Sequence, residues 1–233
     1  MPSSAIRLAA AAAGFLLSAV PAAATVTQGF AGYPAGTIVH RWGTGPALWP
    51  GFTVSAVWNN NGPDAAILFD SARPTGNDFD LGAPNRDFGG PGVGLGGKFG
   101  MPGENSVPLG NLLIIPESMT DLNQDGRVDN PDDESDGGCI RLDFQWGNVP
   151  VGLTVVDVDP YTRRFDYLPG ALRVTFVESP IGDNSVVRVP IPSSGYQRIE
   201  VCFEGSGAIA QVQYGTTTAV EETTWGRVKS MYR

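Results

Sequence analysis

Beyond its N-terminus, this chain has no stretch of a dozen residues with a clean 3.6-residue apolar period. Short β-like runs recur instead, each closed by glycine, proline or asparagine. They are 52–58, 65–69, 112–115, 139–144, 153–158, 171–177, 186–191, 198–203 and 208–214. In Arg198-Ile199-Glu200-Val201-Cys202-Phe203 the apolar and polar residues alternate strictly, the pattern of a half-buried strand. Pro180, Pro190 and Pro192 fall at run ends, where a missing N–H is tolerated. Gly 31 and Pro 19 among 233 residues are too many for a helical bundle, while 42% hydrophobic residues suffice for a core. The expectation is an all-β protein, a β-sandwich of jelly-roll type with long loop insertions.

Residues 1–24 read as an export signal. Arg7 precedes an apolar run from Leu8 to Val20, and Pro21-Ala22-Ala23-Ala24 supplies a small-residue cleavage site. The run is shorter than the ~20 residues that span a bilayer, and later apolar runs are all interrupted. The expected organisation is a signal at 1–24, one sandwich domain at 25–215 and a tail at 216–233 ending Trp225 to Arg233. A secreted, extracellular or cell-surface location follows, with no membrane span. In that oxidising setting Cys139 and Cys202 are expected to pair, closing a 63-residue loop.

Two connections are unusually long, the Gly- and Pro-rich 71–111 and the acidic 116–138. The second contains Asp121-Leu-Asn123-Gln-Asp125-Gly126-Arg127-Val-Asp129-Asn-Pro-Asp132. Oxygen side chains stand at places one, three, five, nine and twelve of this segment. Gly126 is sixth, and Arg127 offers a backbone carbonyl at the seventh. That is the spacing of an EF-hand calcium loop, in which alternate residues of a tight coil point at a hard cation. Eight acids and one base between Glu117 and Asp136 give that stretch a charge of −7, most of the total −9. The twelfth residue is Asp132 rather than Glu, Pro131 precedes it, and neither flank is helical. The loop therefore resembles the dockerin-like variety, with calcium (Ca2+) as the expected cofactor.

Several ordered phrases run through the chain. They include Leu68-Phe-Asp70-Ser71, Arg73-Pro-Thr-Gly76, Asp78-Phe-Asp80-Leu81, Pro102-Gly-Glu-Asn-Ser106 and Leu109-Gly-Asn111. Later come Pro131-Asp-Asp133, Gly137-Gly138, Val156-Asp157-Val-Asp159, Gly182-Asp-Asn-Ser185 and Gly205-Ser-Gly-Ala208. Across 52–214 the chain resembles a family of secreted bacterial β-sandwich proteins. The resemblance implies a calcium-dependent extracellular module, adhesive or carbohydrate-binding, with no established reaction. Asp70, Asp78 and Asp80 lie near one strand end, and Asp157 and Asp159 are expected on one strand face. These five are candidates for a second calcium site.

Other signals point away from catalysis. The acidic excess, 24 against 15, argues against nucleic acid as partner. His40 is the only histidine and has no nucleophile beside it, so no hydrolytic triad is expected. Gly92-Val-Gly-Leu-Gly96-Gly97 lacks the flanking strand and helix of a dinucleotide site and reads as a flexible loop. Trp42, Trp49, Trp58 and Trp146 are candidates for stacking on sugar rings. The resulting expectation is a secreted, non-catalytic, calcium-binding module whose partner is an extracellular polysaccharide or a surface protein. The alternatives are a structural cell-envelope component and, with less support, a secreted glycoside hydrolase using paired carboxylates.

Overall fold

The computed structural model describes residues 24–41, 49–192 and 195–216. Of the expected export signal at 1–24 and tail at 216–233, residues 1–23 and 217–233 lie outside the described residues, as does Trp42. The strands in the first half of the chain are β1 (Ala24–Gln28), β2 (Ile38–Arg41), β3 (Phe52–Asn59), β4 (Ala65–Asp70), β5 (Asn111–Ile114) and β6 (Gly138–Phe144). The second half holds β7 (Asn148–Val156), β8 (Arg163–Leu168), β9 (Ala171–Phe176), β10 (Val186–Pro190), β11 (Arg198–Phe203) and β12 (Ala208–Thr216). All nine expected runs are strands. Three more were not anticipated, among them β8, whose sequence RRFDYL is charged because it lies on an exposed sheet edge.

These strands form two sheets, one of seven strands ordered β10-β7-β12-β5-β4-β2 with β1 also on β12, the other of five ordered β3-β6-β11-β9-β8. One pair departs from the antiparallel pattern of a jelly roll: β11 runs parallel to β9. Leu68, Leu113, Leu153, Val155 and Ile209 of the larger sheet pack with Phe52, Ile140, Leu142, Val174 and Val201 of the smaller. Alternation puts one side chain in two into this shared core.

The larger sheet is buried on its other face as well. Ile67 and Phe69 of β4, Leu112 and Ile114 of β5, Val156 of β7 and Ala208 and Ala210 of β12 form a second apolar cluster. Leu81 and Val128 complete it, one from each long connection. Double burial explains why β4 and β5 read as continuous apolar runs rather than alternating ones. The connections cover a sheet face, where they can carry a site.

The Gly-rich stretch is held closely rather than being a free loop. A Cβ at Gly94 would come within 2.3 Å of the Asp183 carbonyl oxygen, so only glycine allows the two backbones to approach. Cys139 and Cys202 form a disulfide between directly paired residues of β6 and β11. His40 is buried, with Nδ1 3.1 Å from the Val54 carbonyl oxygen, a structural position. Trp49 stacks on Phe52 in the core and is lost as a sugar platform, whereas Trp146 is 92% exposed. Among the described residues no helix is long and apolar enough to cross a membrane.

Candidate metal centre

Gln124 and Gly126, both with positive φ, wind 121–129 into a tight coil. Its polar side chains turn inward. Asp121 accepts hydrogen bonds from the N–H groups of Asp125 (3.1 Å) and Gly126 (3.0 Å). Asn123 Oδ1 accepts from Asp125 N–H at 2.8 Å, and Asp125 Oδ1 accepts from Arg127 N–H at 2.9 Å. Asp129 accepts from Leu122 N–H at 2.7 Å and from Asn123 Nδ2 at 3.0 Å. Besides its carbonyl, Arg127 brings its guanidinium onto Asp125 and holds that carboxyl below the usual range. The coil is anchored by buried Val128, whose N–H donates to Gly36 at 2.9 Å.

Asp132 belongs elsewhere. The chain turns at Asn130 (φ 47°) and Pro131, and Asp132 comes to lie beside Asp78 and Asp133, their carboxylate oxygens within 4.8 Å of one another. Gly76 leaves room for this, since a Cβ there would stand 2.5 Å from the Asp132 carboxyl carbon. Asp133 N–H donates to Asp78 Oδ2 at 2.7 Å. Asp133 Oδ2 in turn accepts from Ser206 Oγ at 2.7 Å and Gly207 N–H at 2.8 Å.

The acidic group continues through Asp157 and Asp80. Strand β7 ends at Val156, and Asp157 takes a left-handed conformation (φ 66°) that buries its carboxyl. Asp157 Oδ1 accepts from Asn184 N–H at 2.7 Å, and Asn184 Nδ2 donates to the carbonyls of Asp80 and Gly82, both at 2.6 Å. Asp80 raises the pKa values of both Asp133 and Asp157. One centre thus forms where β7 and β5 end and β12 begins, with the second apolar cluster beneath it.

Burial dominates its electrostatics. Desolvation pushes Asp78 up to about 10, helped by the nearby charge of Asp133. Asp157 is pushed up to about 8 by burial and then by Asp80. Burial raises Asp133 to about 6, and the hydrogen bonds from Gly207 N–H and the Ser206 hydroxyl hold the rise to that value. Asp80 is raised by burial, with Asp183 and Glu178 adding repulsion. Among the described residues no lysine or arginine forms a salt bridge with Asp78, Asp80, Asp132, Asp133 or Asp157. Carboxylates crowded this way need protons or a cation. An all-oxygen, carboxylate-rich donor set fits a hard divalent cation and suits calcium, which accepts six to eight oxygens in flexible geometry.

The other two candidates for a second site are engaged elsewhere. Asp70 accepts from Arg73 Nε at 2.9 Å, and Asp159 caps the N–H groups of Tyr161 and Thr162. Because Asp157 is left-handed, it and Asp159 share no strand face. Sequence reasoning missed Asp133, Ser206 and Asn184 as parts of the centre. All three stood in the ordered phrases of the sequence, but no spacing rule gave them a role at a metal site. Comparison with protein-family models, curated proteins and solved structures gives no match.

Proposed function

We propose that this protein is an exported, non-catalytic calcium-binding β-sandwich that acts as a surface or matrix binding module, with glycans as its ligand class. The observation that carries the reading is the meeting of Asp78, Asp132 and Asp133, with no salt-bridged cation among the described residues and with Asp80 and Asp157 near enough to add to the repulsion. Calcium at this centre would be held by Asp78, Asp132 and Asp133, with Asp80 and Asp157 behind them. A second ion would sit in the coil of Asp121, Asn123, Asp125 and Asp129. Each ion replaces carboxylate repulsion with attraction and draws connections 71–110 and 115–137 together over the larger sheet.

Calcium titration calorimetry on the wild type, Asp125→Ala and Asp133→Asn tests this. The wild type binds two ions, and each variant loses one while keeping the other. Unchanged stoichiometry and affinity in both variants would sink the reading.

A further inference from the structure

Three sheet edges carry features that discourage pairing with a further strand. Strand β2 has only four residues and a bulge, β3 is bulged between Val54 and Ala56, and β10 ends on Pro190. Strand β8, the last of the smaller sheet, has neither bulge nor proline. All six of its residues pair with β9 in one register, and its other side pairs with no strand among the described residues. Strand β1 also lacks a bulge and a proline, but Ala24–Gln28 has no charged side chain to select a register.

Strand β8 does carry charges, and their order is self-complementary. Phe165 packs against the shared core, so alternation puts Arg163 and Tyr167 on that side of the sheet and Arg164 and Asp166 on the outer side. Arg163 and Tyr167 are nevertheless exposed, Tyr167 at 63%. Two copies of β8 set antiparallel about a two-fold axis normal to the sheet keep their faces. Only residues of the same face can then stand opposite one another. With Phe165 on the axis, Arg164 stands opposite Asp166 of the second copy, and Asp166 opposite its Arg164. Arg163 meets the exposed ring of the second Tyr167, a cation against an aromatic face.

The neighbouring registers are disfavoured. An axis at Arg164 sets two arginines against each other, and an axis at Asp166 sets two aspartates against each other. Arg163 narrows the choice of partner as well. It makes no salt bridge among the described residues. A charge on the core side of an edge strand bars any incoming strand that offers it no partner. A second β8 does offer one, and the same alignment pairs all its charges.

We propose that β8 is the docking edge for a second copy of this chain, joining two five-stranded sheets into one across a two-fold axis at Phe165. The inference uses none of the metal ligands and does not rest on the glycan reading. The test is sedimentation velocity on the purified protein in calcium, from about 1 to 200 µM, the range of small transient interfaces. The wild type should pass from monomer to dimer. Asp166→Arg and Arg164→Asp each set like charges opposite one another twice, and each should weaken the dimer about tenfold or more. An equimolar mixture of the two variants should associate as the wild type does, because every cross-strand charge pair is again of opposite sign. Mixing leaves the repulsion within each strand in place. It therefore reads the contact between copies rather than the lost 2.9 Å bond from Arg164 Nε to Asp166. Melting curves confirm that each variant folds, and Asp166→Lys or Arg164→Glu replaces one that does not. A wild type that stays monomeric throughout overturns the docking edge. Variants that dimerise undiminished place the interface elsewhere and overturn it as well. Folded, weakened variants whose mixture stays monomeric overturn the register at Phe165.

Discussion

The main-chain N–H of Asp133 donates to the carboxylate of Asp78 at 2.7 Å, joining two connections 55 residues apart in sequence. Both connections lie on the outer face of the larger sheet, pinned by Leu81 and Val128. The bond thus fastens together two covers of one apolar surface. It also brings the two acids' carboxyl groups close, and these repel each other unless a proton or cation intervenes.

Asp133→Asn should reduce the rise in melting temperature that calcium produces. That rise reflects binding to the folded state only, worth about 2.7 kcal/mol at one hundred times Kd. In chelator the variant should be at least as stable as the wild type, because a repelling carboxyl is gone while hydrogen bonding to Ser206 and Gly207 remains possible. Differential scanning calorimetry with and without calcium checks both halves. An undiminished calcium response in the variant would remove Asp133 from the centre.

The chelated protein should lose stability as pH rises. Asp133, Asp157 and Asp78 have folded pKa values of about 6, 8 and 10, all above the ordinary 3.8. The folded state then holds more protons than the unfolded one between these limits. Its advantage is complete below about pH 4 and is lost as pH passes each folded value, at up to about 1.4 kcal/mol per pH unit for each proton. Melting curves in chelator from pH 5 to 9 should fall, and saturating calcium should flatten them, because metal replaces the protons. A rising curve in chelator would contradict this.

Glu200→Gln should destabilise the smaller sheet. Glu200 is 3% exposed and accepts two hydrogen bonds from each of Arg141 and Arg173. The expected cost is about 2 kcal/mol, below that of a fully buried pair because the Arg173 side chain is 41% exposed. Burial raises the Glu200 pKa, but hydrogen bonds from the two arginines outweigh it and the net shift is downward. Its stabilisation is therefore present above the ordinary carboxyl pKa and lost as pH falls through the folded value. Urea titration at pH 7 and 3 should show the variant's deficit shrinking in acid; a constant deficit would rule the charge out.

Removing the disulfide by Cys139→Ala with Cys202→Ala should lower the melting temperature by about 10 °C. Opening a 63-residue loop restores chain entropy to the unfolded state, about 4 kcal/mol in that account. The wild type, unreduced, should be two hydrogens lighter than its reduced form by mass spectrometry. Two alkylatable thiols in that material would refute the bond.

Local patterns carried much of the architecture. Nine strands were readable because alternation, or a doubly buried run such as Ala65 to Phe69, marks a strand within a few residues. Strand β8 was not, since Arg163-Arg-Phe-Asp-Tyr-Leu168 has the polarity of an exposed edge, and neither were the short β1 and β2. The coil from Asp121 to Asp129 was readable for the same reason: its hydrogen-bonded polar side chains are set by spacing along one turn of chain.

Asp132 marks where that reading stops. Spacing made it the last residue of the coil, but Asn130 and Pro131 redirect the chain and carry it to Asp78. By itself the sequence determined the two-sheet strand content, the cysteine pair and an acidic coil, because each follows from neighbours in the chain. Only the tertiary structure decided that Asp132 and Asp133 meet Asp78, with Asp80 and Asp157 near them. Burial and the company of distant carboxyls depend on which strand ends and connections meet, and that is set by packing two covers onto one apolar sheet face rather than by any local spacing.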